Sequence, residues 1–102
     1  MKSLKDKKTI EKIFSDGKKI YTPTINAKFI SGSPEVMISV PIRLFKKAVD
    51  RNRLKRLIRE SVRNKSNDKF SIALIYNSDK IERFDVIEKD VNKIFNNLKL
   101  SQ

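Results

Sequence analysis

Apolar residues recur along this chain with two different periods, and the switches between them divide it into elements. Ile10, Ile13 and Phe14 are spaced for one face of a helix, and Gly17 follows where such a helix ends. Asp6 and Thr9 are both residue types that cap a helix start. Residues 18–24 read as an irregular connection around Pro23, with room for a short strand near Ile20. From Ile25 the period becomes two: Ile25, Ala27 and Phe29 alternate with Asn26, Lys28 and Ile30, as in a strand with one buried face. Ser31-Gly32-Ser33-Pro34 is a turn. Val36, Ile38 and Val40 then alternate with Met37 and Ser39 in a second strand, antiparallel to the first, which Pro41 ends.

A basic connection over residues 43–48 leads to a helix expected from Asp50 to Asn64, and a polar loop follows at 65–69. Phe70 to Tyr76 is apolar and β-branched, the mark of a buried strand. A last helix begins near Asp85, where Asp85 and Glu88 suit a capping box, and carries the stripe Ile87, Val91, Ile94, Phe95 and Leu98. The order α-β-β(-β)-α-β-α predicts one α+β domain over residues 1–102, an α-β sandwich with helices on a small sheet.

The middle helix is the informative one. With Leu54 at zero and about 100° per residue, Leu57, Ile58, Ser61 and Val62 fall between about −60° and +80°, the face for a core. Asn52, Arg56, Arg59 and Arg63 cluster on the opposite face. Arg51 and Lys55 lie on one flank, Arg53 and Glu60 on the other. A solvated helix normally mixes Glu with Lys to gain pairs one turn apart. This one is nearly all cation and prefers Arg, whose planar fork matches phosphate bidentately.

Charge along the chain agrees. The 102 residues carry a net +12, and the whole excess lies in residues 1–65, which hold 18 basic and 6 acidic side chains. Residues 43–65 alone hold ten basic residues against Asp50 and Glu60. Charge concentrated in this way is an electrostatic footprint for phosphates, and it does not distinguish DNA from RNA. A helix-turn-helix module would need a helix over residues 36–47, which Pro41 and the alternating Val36, Ile38 and Val40 oppose.

The absences narrow the chemistry. With no His, Cys or Trp there is no disulfide scaffold, zinc finger, thiol nucleophile or Ser-His-Asp triad. The longest apolar run, Ile72 to Tyr76, is far short of the ~20 residues of a membrane span. No apolar signal region follows the basic N-terminus, so a cytoplasmic location is expected, with no membrane and no obligate protein partner evident.

The segment Ala48-Val49-Asp50-Arg51-Asn52-Arg53-Leu54-Lys55-Arg56-Leu57-Ile58-Arg59-Glu60 resembles the Arg-Asn-Arg signature of the bacterial ribonuclease P protein component. Phe14-x-x-Gly17 resembles the end of that family's first helix, and Ser39-Val40 before a basic connection resembles its third strand. The resemblance runs in order through essentially the whole chain. Departures are Ile10 where Phe is frequent, Val40-Pro41-Ile42-Arg43 where Val-Ser-Lys-Lys is usual, and Tyr76-Asn77 where an Arg is common.

The resemblance implies a fold with a left-handed β-α-β crossover formed by the signature helix, as in a domain of a small-subunit ribosomal protein. It implies a protein subunit of a ribonucleoprotein endoribonuclease that removes the 5′ leader of precursor tRNA. The RNA subunit carries Mg²⁺-dependent hydrolysis, and the protein alone is inactive, with no catalytic residue and no metal site of its own. Arg51, Asn52, Arg53, Lys55, Arg56 and Arg59 carry over as contacts to the catalytic RNA, and the helical wheel adds Arg63. Arg51 stands near the core stripe, which leaves a partly structural role open; the Asn52 amide could donate to phosphate or accept from a hydrated metal ion, a local cap near the helix start being its other reading.

Phe14, Asn26, Lys28 and Ile30, bordered by Arg43, Lys46 and Lys47, are expected to line a cleft for the single-stranded leader. For Phe14, packing in the core is the other reading. Tyr21 and Tyr76 could also stack a base, but both sit next to apolar segments and are expected rather to anchor them. A ribosomal or other structural RNA-binding protein is the alternative class.

Overall fold

The computed structural model describes residues 1–65 and 69–100. Its elements are β1 (Lys2–Ser3), α1 (Lys7–Asp16), β2 (Lys18–Tyr21), β3 (Ile25–Ser31), β4 (Glu35–Ser39), α2 (Ala48–Val62), β5 (Phe70–Tyr76) and α3 (Phe84–Leu100). The five strands form one sheet in the order β1-β4-β5-β3-β2. The architecture is the expected α+β sandwich with a mixed sheet.

The most apolar strand, β5, takes the centre, as a strand covered on both faces should. It pairs antiparallel with β3 and parallel with β4. This changes the reading of β3 and β4. They run in opposite directions, but β5 lies between them, so they are not a hairpin. The Ser31–Pro34 turn instead crosses the end of β5. Gly32 N–H donates to the carbonyl of Lys69 at 2.7 Å, and Ser71 Oγ donates to the carbonyl of Ser33 at 2.8 Å. A Cβ on Gly32 would stand 3.1 Å from Ser71 Oγ, so the close crossing favours glycine. The parallel β4–β5 pair requires a crossover, and α2 supplies it.

One face of the sheet carries the larger core. Ile25, Ala27 and Phe29 of β3 and Ile72, Leu74 and Tyr76 of β5 pack against Leu54, Ile58 and Val62 of α2 and the α3 stripe. Leu57, expected in that stripe, is only half-buried at its edge. Each fully buried Leu or Ile contributes about 1.5–3 kcal/mol. The other face is covered in part by α1: Ile13, Leu4 and Ala73 are buried together, with Ile10, Ile30 and Met37 beside them.

Element ends follow local chemistry. Asp6 caps α1, its carboxylate accepting from Thr9 N–H at 3.1 Å and Thr9 Oγ1 at 2.6 Å. Hydrogen bonds from the Thr9 hydroxyl, then the Thr9 amide, hold the Asp6 carboxyl below its usual range. Gly17 ends the helix in extended backbone, and a Cβ there would lie 2.2 Å from the Ile13 carbonyl oxygen. α2 begins at Ala48, two residues before the expected Asp50, and ends at Val62 rather than Asn64. Asp85 lies in the first turn of α3, where it pairs with Arg83 at 3.2 Å. β2 is the short strand allowed near Ile20 within the stretch otherwise read as an irregular connection, and β1 had no sequence signal. The loop read at 65–69 lies partly outside the described residues.

Candidate nucleic-acid interface

The packing of α2 decides where its charges point. With Leu54, Ile58, Ser61 and Val62 buried, Asn52, Arg53, Arg56 and Arg59 are exposed on the side away from the sheet. Asn52, Lys55, Arg56 and Arg59, with Val49, line a shallow hollow of about 410 Å³. Spacings of three and four residues bring these side chains to neighbouring turns of one face. The hollow offers the donors of two guanidiniums, an ammonium and an amide, with no carboxylate on its wall. Such an arrangement is suited to phosphate oxygens.

The remaining cations of the helix are employed differently. Arg51 turns back to the β4–α2 connection, where its Nη1 donates to the carbonyls of Phe45 at 2.9 Å and Lys46 at 2.8 Å. Arg63 stands just past the helix end and pairs with Glu60 at 2.8 Å, an exposed contact worth little in itself. It lines a second hollow with Arg59, Lys5 and Met1. Asn52 lies in the second turn of α2 and makes no capping bond there; Lys47 is the N-cap residue.

The sheet face under α1 is left open at one end. Phe14 is exposed rather than part of the core, and the ammonium of Lys28 sits 4.9 Å from its ring centre, a cation–π contact. Register aligns Asn26 with Ile75 of β5, and Ile75 with Ser39 of β4. The basic connection leaves β4 at that same end of the sheet. Arg43, Lys46 and Lys47 are exposed on it, while Phe45 is buried against Tyr76 with ring centres 5.9 Å apart.

Two expectations need correction. Ile30 is on the expected face but beneath α1, packed with Ile10, Ile13 and Met37, because the helix crosses the sheet at that point. Tyr21 is not an anchor. It is exposed on the edge strand β2, whereas Tyr76 is fully buried. Tyr76 does anchor: its hydroxyl donates to the Lys80 carbonyl at 2.5 Å and accepts from Glu82 N–H at 3.1 Å. Burial raises the Tyr76 phenol above its usual value. The signal that reveals Tyr21 is the alternation in β2, where Ile20 is the inward residue and Lys19 and Tyr21 are its outward neighbours.

Among the described residues no group of three or more carboxylates is placed to hold a metal ion. No helix among them is long and apolar enough to cross a membrane.

Comparison with known proteins places these features in a family context. A family model described as Ribonuclease P matches residues 1–99. A ribonuclease P protein component of Nitrosococcus oceani is 35% identical over 65 residues, which are 61% of this chain and 55% of that protein. The chain thus spans about half the length of that curated relative. Among solved structures, the RNase P protein of Staphylococcus aureus superposes with a TM-score of 0.77 at 20% identity, covering 100% of this chain and 96% of the other. That of Thermotoga maritima gives 0.79 at 22% identity, covering 93% and 96%. At these identities the two structures establish likeness of fold.

Proposed function

The chain belongs to the ribonuclease P protein family, and on that premise we propose that it is the protein subunit of a ribonuclease P holoenzyme. In this reading it binds the catalytic RNA and the 5′ leader of precursor tRNA and assists endonucleolytic removal of the leader. The observation that carries the proposal is the outward face of α2, where Asn52, Lys55, Arg56 and Arg59 line one hollow within a chain matched by the family model nearly end to end.

The residues divide by task. Arg53, Lys55, Arg56 and Arg59 meet phosphates of the catalytic RNA, with Asn52 donating its amide among them. Arg51 holds the connection that presents Lys46 and Lys47, so its contribution to RNA binding is that of a positioning residue. Arg63, paired with Glu60, extends the row at its end. The leader passes over the open sheet face, where Phe14 stacks a base beside Lys28 and Asn26, with Arg43, Lys46 and Lys47 along the rim. Ile30 supports α1 from below.

Mg²⁺ is the ion that the proposed reaction employs. Mg²⁺ takes octahedral oxygen ligands and is usually held by one or two carboxylates plus phosphates. The hollow on α2 is walled by cations and an amide, which do not suit it. The ions therefore belong with the RNA. The subunit's contribution is electrostatic and positional: its cations draw RNA phosphates together.

Reconstitution tests the proposal. The chain is combined with a ribonuclease P RNA and precursor tRNA at an Mg²⁺ concentration too low for the RNA alone. Restored cleavage at the mature 5′ end is the expected outcome. RNA binding without any restored cleavage contradicts the assignment and favours a structural RNA-binding role. The chain alone leaves the precursor intact.

A further inference from the structure

The described residues include all eight aromatics of the chain, and among them only Phe14 and Tyr21 are exposed, at 41% and 66%. Both belong to the same side of the sheet. Ile20 packs against the core shared with α2 and α3, so strand alternation turns Lys19 and Tyr21 to the opposite face. Register sets Tyr21 opposite Asn26 and Lys19 opposite Lys28. Lys28 is the residue whose ammonium lies beside the Phe14 ring.

A lone exposed aromatic needs no explanation, but its neighbours here do. Thr22 N–H donates to the Ile25 carbonyl at 3.0 Å, which makes that pair a hydrogen-bonded one. Bonded and non-bonded pairs alternate along an antiparallel ladder. Tyr21–Asn26 and Lys19–Lys28 are therefore non-bonded pairs, the kind with the closest side chains, about 4.5 Å between Cα atoms. Two cations facing each other in such a pair oppose folding. Neither lysine forms an ion pair among the described residues. An anion between them reverses the sign of the interaction.

We propose that Lys19 and Tyr21 of β2 form a second nucleotide subsite for single-stranded RNA, adjoining that of Phe14 and Lys28. Lys19 and Lys28 hold a phosphate between them, and the Tyr21 ring stacks the next base. The inference rests on the reading of this open face as a single-strand cleft. Asn26 and Lys28 are successive outward positions of β3, about 7 Å apart, roughly twice the ~3.4 Å rise per stacked nucleotide in a duplex. The β3 neighbours of Tyr21 and of Phe14 are thus one outward side-chain repeat apart. Asn26, opposite Tyr21 in the ladder, is placed to hydrogen-bond a base edge.

The test titrates the full chain with a short fluorescein-labelled oligouridine, comparing Tyr21→Ala, Tyr21→Phe, Lys19→Gln and Phe14→Ala, with a melting curve for each. Tyr21→Ala should weaken binding by about fivefold to a hundredfold, with an unchanged salt slope and an unchanged melt. Tyr21→Phe should bind like the parent, and Lys19→Gln should reduce the slope by about 0.7. If Tyr21→Ala binds normally while Phe14→Ala is weakened, the second subsite is wrong and the cleft stands. If neither is weakened, the cleft reading falls as well. If Tyr21→Phe loses as much as Tyr21→Ala, the ring does not stack and the proposal is overturned.

Discussion

The guanidinium of Arg51 closes on the main chain of Phe45, donating to its carbonyl at 2.9 Å and to the neighbouring Lys46 carbonyl at 2.8 Å. One cation of the signature helix thereby fixes the loop that precedes the helix. Phe45 is buried against Tyr76, so the loop is pinned from both sides. The helix's cations are thus of two kinds, one turned inward to the fold and the others outward.

Arg51→Ala should lower stability by about 1–2 kcal/mol, because two charge-assisted hydrogen bonds are lost at a half-buried site. Arg51→Lys should recover less than half of that, since a compact ammonium on a flexible stem does not reproduce the planar fork. Urea unfolding of the three proteins measures it. Equal stability of all three would mean that the loop holds itself.

Tyr76 gives the fold a sensitivity to alkali. Burial raises its phenol above 10.0, and the Glu82 amide and Ser78 hydroxyl only partly oppose that. A group with a raised folded pKa contributes stability that is complete below its unfolded value. That contribution is lost as pH rises through the folded one. Stability should therefore decline above about pH 10, and Tyr76→Phe should flatten the decline while costing stability at neutral pH. Unfolding midpoints across the alkaline range decide it, and an unchanged pH dependence in Tyr76→Phe would contradict the assignment.

Salt dependence should count the outward cations. The sequence suggests six on this helix: Arg51, Arg53, Lys55, Arg56, Arg59 and Arg63. Arg51 is occupied with carbonyls, and the Glu60 carboxylate offsets the charge of Arg63 at the end of the row. Four contacts at about 0.7–0.9 each give a log–log slope of about −3 to −4 for this helix. A slope near −1 in a binding titration would mean that the face is merely solvated.

The legible parts of this protein were those that periodicity alone determines. The core stripe of α2 and the alternation Ile25-Ala27-Phe29 are local consequences of burying one face, and the structure keeps them. Leu57 marks the stripe's edge, which a helical wheel cannot locate without the neighbouring helix. What periodicity cannot supply is adjacency. Ser31–Pro34 has the composition of a hairpin turn, yet β5 inserts between the strands it connects, because the most apolar strand gains most from the centre. The same limit applies to the site. Phe14, Tyr21 and Tyr76 all sit beside apolar residues in sequence; the seating of α1 leaves Phe14 exposed, the alternation of edge strand β2 turns Tyr21 outward, and the central place of β5 buries Tyr76. The role of Arg51 depends on carbonyls whose positions are set by loop geometry. β1 is too short to leave a pattern.

The central claim is that the outward face of α2 binds the catalytic RNA without supporting the fold. It is tested most directly by Arg56→Ala combined with Arg59→Ala, with a melting curve and a titration against ribonuclease P RNA. Leu54→Ala serves as the converse control. The double variant should lose less than about 0.5 kcal/mol of stability per site, since both side chains are exposed, and its RNA affinity should fall steeply. Leu54→Ala, at a fully buried position, should lose about 2–5 kcal/mol and bind normally wherever it remains folded. A double variant that melts early yet binds RNA like the parent would contradict the account.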